Sequence, residues 1–353
     1  MNRNNKIVSI LSSAALFCLL LFVATACNDS FIFEGEGDCS TKVKFVFKRN
    51  RQALHSSNGE GPDAFSNSVS SVHLFVFNED SKELVLEKYA TVDQLRDGCM
   101  MPLEIPQGKY TFVAWCGLDS QDENNAFKLQ HNYTRADGDN CHLKMVSDSE
   151  PVHDSKFDAL YHGRISNVAV ANLDKGSIVE LPLVKNTNDI TVWIQNPDAS
   201  FSTDEYQVNY EDANGVIHFE DNSIISPDEK LRYFPHTTSI LNTETEYNGD
   251  KVQSGALISH ISVSRLMAHH KDDAKIVVRD NEGKEVFSLP FIKYLLEMQT
   301  FSDGRTKDDQ WYLDCEDTFQ CSLYLAGPGD GTWNATRIII NSWVRVPNQN
   351  QEF

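Results

Sequence analysis

Lys42-Val43-Lys44-Phe45-Val46-Phe47 alternates, a period of two that predicts a strand with one buried face. The same period runs through Val69-Ser70-Ser71-Val72-His73-Leu74-Phe75-Val76-Phe77, which ends at the turn Asn78-Glu79-Asp80, and through Leu84-Val85-Leu86 and Lys109-Tyr110-Thr111-Phe112-Val113-Ala114-Trp115. Residues 117–155 are polar, and strand-like runs resume over 161–165 and 176–183. A second polar break, Lys185-Asn186-Thr187-Asn188-Asp189, precedes Ile190-Thr191-Val192-Trp193-Ile194. Later runs cover 206–210, 216–219, 275–279, 284–287, 320–325 and 336–346. Asn214-Gly215 predicts a hairpin between two of them, and Asp280-Asn281-Glu282-Gly283 a turn between two others. Helical patterns are confined to 291–298 and a shorter stretch, 91–96. Many short strands separated by turns predict an all-β protein built of β-sandwiches.

The front of the chain has a different pattern. Arg3 and Lys6 precede an uncharged apolar stretch, 7–26, which closes on Val23-Ala24-Thr25-Ala26-Cys27. A basic start, an apolar middle and small residues at the end predict an export signal. The cysteine directly after the small residues resembles a bacterial lipoprotein signal. That resemblance implies cleavage between Ala26 and Cys27, acylation of Cys27 and a fatty-acid anchor in the outer membrane. Each buried methylene contributes about 0.8 kcal/mol to such an anchor. Residues 27–40 follow as a tether carrying Asp29, Glu34, Glu36 and Asp38, similar to the acidic stretch that directs some Bacteroidetes lipoproteins to the cell surface. The expected organisation is therefore a signal peptide over 1–26, the tether over 27–40, one sandwich over 41–186 and a second over 187–353.

Composition narrows the function. The chain has 353 residues, of which 41% are hydrophobic and 23% charged, a globular balance with room for two cores. Its 51 acids outnumber its 31 Lys and Arg, for a net charge of −20. Such a surface repels phosphate backbones, so nucleic acid is excluded as a partner. Eight cysteines suit an exported protein. Cys18 leaves with the signal, Cys27 takes lipid, and the other six allow 15 complete pairings. One pairing has a local argument. If Gln107-Gly108 is a two-residue reversal, Cys99 faces Cys116, at the roughly 4.5–5.5 Å Cβ spacing of opposed residues, and the two form the candidate disulfide; a three-residue loop removes that register.

Catalytic patterns are thin. No Gly-x-Ser-x-Gly elbow, phosphate-binding loop or Cys-x-x-Cys pair occurs. His269-His270-Lys271-Asp272-Asp273 is the densest set of ligand types, and it reads as a solvated loop because adjacent residues of an extended chain point to opposite faces. Asp137-Gly138-Asp139 lacks calcium-loop spacing. No metal, cofactor or enzymatic activity is expected. Trp115, Trp193 and Trp343 lie inside strand patterns, where a core role outweighs a sugar-binding one.

Near the C-terminus the motifs become specific: Asp309-Gln310-Trp311-Tyr312-Leu313-Asp314, then Glu316-Asp317-Thr318-Phe319, then Ile340-Asn341-Ser342-Trp343-Val344-Arg345. Together with Cys27, Asp38-Cys39, Val43-Lys44-Phe45 and the run from Gly108 to Trp115, their order and spacing resemble the FimB-type (FimB/Mfa-like) fimbrial anchor lipoproteins of Bacteroidales type V pili. Ser342 stands where a Gly is more usual, and Cys315 where a charged residue is. The resemblance implies two tandem transthyretin-like sandwiches. It also implies a fimbrial stalk subunit as partner, anchorage of that stalk at the outer membrane and a limit on fibre length. The alternative is a surface glycan-binding lipoprotein of a polysaccharide-uptake system. A row of exposed aromatics would mark the alternative, and an open sheet edge the fimbrial reading.

Overall fold

The computed structural model describes residues 41–47, 68–95, 100–118, 125–129, 141–143, 152–171, 177–196, 201–202, 205–225, 230–247, 250–298, 308–326, 334–340 and 343–345. In chain order the strands of the first half are β1 (Thr41–Phe47), β2 (Ser71–Asn78), β3 (Leu84–Thr91), β4 (Met100–Leu103), β5 (Gly108–Cys116), β6 (Phe127–Leu129), β7 (Cys141–Leu143), β8 (Val152–His153), β9 (Tyr161–Val170) and β10 (Ser177–Lys185). Those of the second half are β11 (Thr187–Asn196), β12 (Tyr206–Asp212), β13 (Val216–Ile217), β14 (Leu231–Tyr233), β15 (Thr237–Tyr247), β16 (Asp250–Ser264), β17 (Lys275–Asp280), β18 (Glu285–Leu289), β19 (Thr318–Ala326), β20 (Asn334–Ile340) and β21 (Trp343–Arg345). Two short helices, α1 (Phe291–Glu297) and α2 (Asp309–Cys315), lie between β18 and β19. The fold is all-β.

The first seven-stranded sheet has the order β3-β2-β5-β9-β10-β1-β4. β9 and β10 pair only over Tyr161–Gly163 and Leu183–Lys185, so the sheet splays there and folds over itself. Val43, Phe45, Leu181 and Leu183 of one part meet Leu74, Val76, Phe112 and Ala114 of the other in a single core. β1 keeps the predicted alternation, with every second residue buried. β2 and most of β5 are buried on both faces. Their second face carries Phe75, Phe77, Val113 and Trp115 into the core of the other half, against Phe219. A strand covered on both sides reads as a continuous apolar run, which is why Leu74-Phe75-Val76-Phe77 shows no polar face. Each of these large side chains contributes roughly 2–3 kcal/mol by leaving water, so the two halves share one apolar joint.

The second half stacks a six-stranded sheet, β15-β16-β11-β19-β20-β21, on a five-stranded one, β18-β17-β12-β14-β8. Ile190, Val192, Ile261, Phe319 and Leu323 of the first pack on Val208, Tyr210, Ile276 and Val278 of the second. α1, predicted from its pattern, buries Phe291, Ile292, Tyr294 and Leu295. The pattern at 91–96 becomes a single 3-10 turn, Val92–Gln94. The turn at 280–283 forms as predicted, with Gly283 at φ +82 and Asp280 Oδ1 accepting from the amides of Glu282 and Lys284.

Several local expectations give way to long-range pairing. Asn214-Gly215 does not close a hairpin. β12 pairs with β14 and β17, while β13 pairs with β7. Asn214 is instead fully buried, donating to the carbonyls of Ser264 and Arg265 and accepting from the Tyr233 hydroxyl. β7 pairs with β13 and β8 with β14, so two short strands of the first half hydrogen-bond to strands of the second half. The polar break at 185–189 is taken up almost wholly by the two strands that flank it. Only Asn186 separates β10 from β11, and Asn186, Thr187 and Asn188 are all buried. Trp115 is a core residue, whereas Trp193 is half-buried on the outer face of β11, out of phase with the buried Val192 and Ile194.

Candidate functional site

For a β-sandwich protein the chemistry of interest is at the sheet edges, where backbone amides and carbonyls have no ladder partner. Most of these edges are protected. β4 has four residues and contains Pro102. Lys88 of β3 donates from Nζ to the Pro102 carbonyl of β4 at 2.6 Å, tying these two edges together at one point. β18 has five residues, with a bulge in its pairing between Val278 and Arg279. β8 has two residues and β21 three. β15 differs. It has eleven residues, Thr-Thr-Ser-Ile-Leu-Asn-Thr-Glu-Thr-Glu-Tyr, with no Lys and no Pro. Its pairing with β16 runs from Thr237↔His260 to Tyr247↔Asp250 without a shift. Thr237, Thr238, Ser239, Leu241, Asn242, Thr243 and Glu244 are exposed. Among the described residues no strand pairs with its outer side.

β15 also outruns its sheet. The last residue of β11 paired with β16 is Asn196, opposite Gly255. Beyond that point residues 243–247 and 250–254 form a ribbon of two strands. Behind the start of β15 lies a groove of about 760 Å³ between the two sheets, floored by Tyr206, Val208 and Phe234 and edged by Thr238, Asp154 and Asp280. Burial, then the charge of Glu205, pushes the Tyr206 hydroxyl above its ordinary pKa, so it stays a neutral donor. Asn242 ties the strand to Phe201. Its amide donates to the Phe201 carbonyl at 2.9 Å and accepts from the Phe201 amide at 3.0 Å, and the Phe201 ring meets Tyr206 edge-on. The arrangement joins a long unblocked backbone edge to a partly aromatic groove with acidic rims.

A second polar centre is entirely internal. Arg265, at the end of β16, makes two hydrogen bonds to Asp314 of α2, at 2.9 and 2.8 Å, and donates to the Asn222 carbonyl. The Asn222 side chain accepts from Asn186, between β10 and β11. Nearby, Asp212 accepts from the Tyr210 hydroxyl and pairs with His270 at 2.6 Å. His270 is therefore a buried partner of Asp212 and not part of a solvated loop. Except for the Asn186 Oδ1, which has no partner among the described residues, these groups bond to one another, so they brace the joint between the halves. Among the described residues no group of three His, Cys, Asp or Glu is placed to hold a metal ion, and no helix is long and apolar enough to cross a membrane.

Ala26, Cys27 and Cys99 lie outside the described residues. Cys116 is fully buried at the end of β5, opposite Val72 and Tyr161. β4 pairs with β1 and not with β5, so the hairpin register that placed Cys99 opposite Cys116 is not formed. β15, β16 and the Arg265 centre were not anticipated. Asn248-Gly249 between two β-branched runs is the signal that marks the β15–β16 hairpin. α2 has a local signal too: the Asp308 side chain caps it by accepting from the Gln310 amide.

The family model described as fimbrillin-A associated anchor proteins Mfa1 and Mfa2 matches residues 36–348. No curated protein sequence matches. A candidate adhesin from Bacteroides thetaiotaomicron is similar in structure, with 24% identity and a TM-score of 0.70 over 88% of this chain and 98% of that one. A second protein of that organism, described as a candidate polysaccharide-binding protein, has 20% identity and a TM-score of 0.68 over 89% and 100%. The fimbrial anchor protein Mfa2 from Porphyromonas gingivalis has 17% identity and a TM-score of 0.61 over 88% and 99%.

Proposed function

Since the chain belongs to the family of fimbrillin-A associated anchor proteins Mfa1 and Mfa2, and is thus a structural component of fimbriae, we propose that it is a lipid-anchored base subunit that holds the fimbrial stalk to the outer membrane and limits fibre length. The match over residues 36–348 carries this reading. Cleavage after Ala26 and acylation of Cys27 fasten the chain, the acidic tether sets the body off the membrane, and the rigid pair of sandwiches transmits load to the stalk. The alternative, a glycan-binding lipoprotein, is disfavoured by the surface. The large exposed hydrophobics among the described residues are Val85, Tyr89, Ile178, Ile225 and Leu241, with one aromatic and no row of rings.

The test is fractionation and fibre imaging. Cys27→Ala releases the protein from the membrane fraction, and cells lacking the chain shed longer fibres. Recovery of the variant in the membrane fraction refutes the lipid anchor, and attached fibres of normal length on cells without the chain refute the anchoring role.

A further inference from the structure

We propose that the groove between the two sheets of the second half binds a linear organic dication of the polyamine class, an aliphatic chain with an amine at each end. The site is separate from the fibre-holding role and does not depend on it.

The groove has the size and make-up of a ligand site. Its volume, about 760 Å³, falls in the range of pockets that enclose small organic molecules. Tyr206 and Val208 of β12, with Phe234 just after β14, give it an apolar floor. That floor is ordered in advance. The Tyr206 ring meets the Phe201 ring edge-on at 5.9 Å, and Phe201 is bonded through its amide and its carbonyl to Asn242. A ring already held in place can attract an ammonium group with little further loss of freedom.

Charge and spacing identify the ligand. Asp154 and Asp280 line the groove, and among the described residues no Lys, Arg or His lines it. Glu205 adds a third carboxylate beside Tyr206. Asp280 ends β17 opposite Tyr206, and its Oδ1 accepts from the amides of Glu282 and Lys284, which orients the carboxylate. Asp154 directly follows β8, whose last residue, His153, accepts from the Phe234 amide at 2.7 Å. The sheet order β17-β12-β14-β8 puts these two strands three spacings apart. The two acids therefore stand at least roughly 14 Å from each other, with Tyr206 and Phe234 on the strands between them. One metal ion or one ammonium group cannot touch both. A chain with a positive charge at each end can, its methylenes lying on Val208 and the rings while its amines meet the carboxylates. An anionic ligand is repelled by the same acids.

Calorimetric titration of the purified chain with spermidine at physiological salt tests the site. Saturable, one-to-one binding is expected. Asp154→Asn with Asp280→Asn is expected to weaken it at least about tenfold. Asparagine keeps an accepting oxygen for the 280–283 turn, and an unchanged thermal unfolding midpoint shows the fold intact. Asp272→Asn with Asp273→Asn removes two exposed acids outside the groove and is expected to leave the affinity unchanged. Magnesium, with both charges at one point, is expected not to displace spermidine at equal concentration. Absence of saturable binding, equal losses in the two double variants, or displacement by equimolar magnesium overturns the assignment. Each of these results leaves the anchor reading standing.

Discussion

Arg265 and Asp314 are 49 residues apart in sequence and meet in a two-point ion pair with both side chains almost wholly out of water. The pair joins the end of β16 to α2, and through Asn222 and Asn186 it reaches the step from β10 to β11. Breaking one side strands a buried charge, whereas replacing both removes the need for either. Arg265→Ala is expected to cost about 3–5 kcal/mol. Arg265→Met combined with Asp314→Leu is expected to cost far less than the single change. Urea unfolding of the three proteins checks this; equal losses for the single and double variants would show that the ion pair does not set the cost.

Acid is expected to loosen the fold well before the carboxylates titrate. Burial pushes His162 down from 6.5 to about 3 and His153 to about 4. His162 is fully buried beside Trp115, with Nε2 donating to the Phe219 carbonyl at 2.9 Å. In the unfolded chain these rings take up protons as pH falls below 6.5, and in the folded one they do not. Stability is therefore complete above pH 6.5 and declines below it, down to about 4 for His153 and about 3 for His162, by at most about 1.4 kcal/mol per pH unit for each. His162→Gln keeps a donor and removes the titration. Its unfolding midpoint should change less between pH 8 and pH 5 than that of the parent protein, and an unchanged slope would remove His162 as the source.

Two glycines at positive φ separate backbone strain from collision. At Gly117 (φ +90) an added Cβ would lie 2.1 Å from the Ala159 carbonyl oxygen, whereas at Gly283 (φ +82) it meets open space. Gly283→Ala is expected to cost about 1 kcal/mol, the left-handed penalty alone. Gly117→Ala adds a backbone clash and is expected to cost at least about 2 kcal/mol. Thermal unfolding of the two variants gives the order directly.

The buried thiols should be silent in the native protein. Burial raises Cys116, Cys141 and Cys321 far above the ordinary thiol range, so little thiolate forms at neutral pH. Iodoacetamide is expected to leave all three unmodified until the chain unfolds, and then to label Cys141 and Cys321 without reductant. The same digest decides the Cys99–Cys116 pairing, since a bonded Cys116 labels only after reduction.

The sequence by itself determined the class of the fold and its kinship. Period two is a local property: successive side chains of an extended chain point to opposite faces, so Val43, Phe45 and Phe47 declare a buried face without reference to anything distant. The motifs around 309–319 and 340–345 carried the family resemblance for the same reason, as short strings in order. Only the tertiary structure decided which strands pair. Asn214-Gly215 has every local feature of a hairpin, yet β12 and β13 find β14, β17 and β7, because closing two stacked cores outweighs one turn's preference. It also decided that Asn186 and Asn188 are buried, that Arg265 meets Asp314, and that β15 is a long edge with no strand beside its outer side among the described residues. An edge is a relation between strands, defined by what fails to pair beside it, and no residue of Thr237–Tyr247 announces that absence on its own.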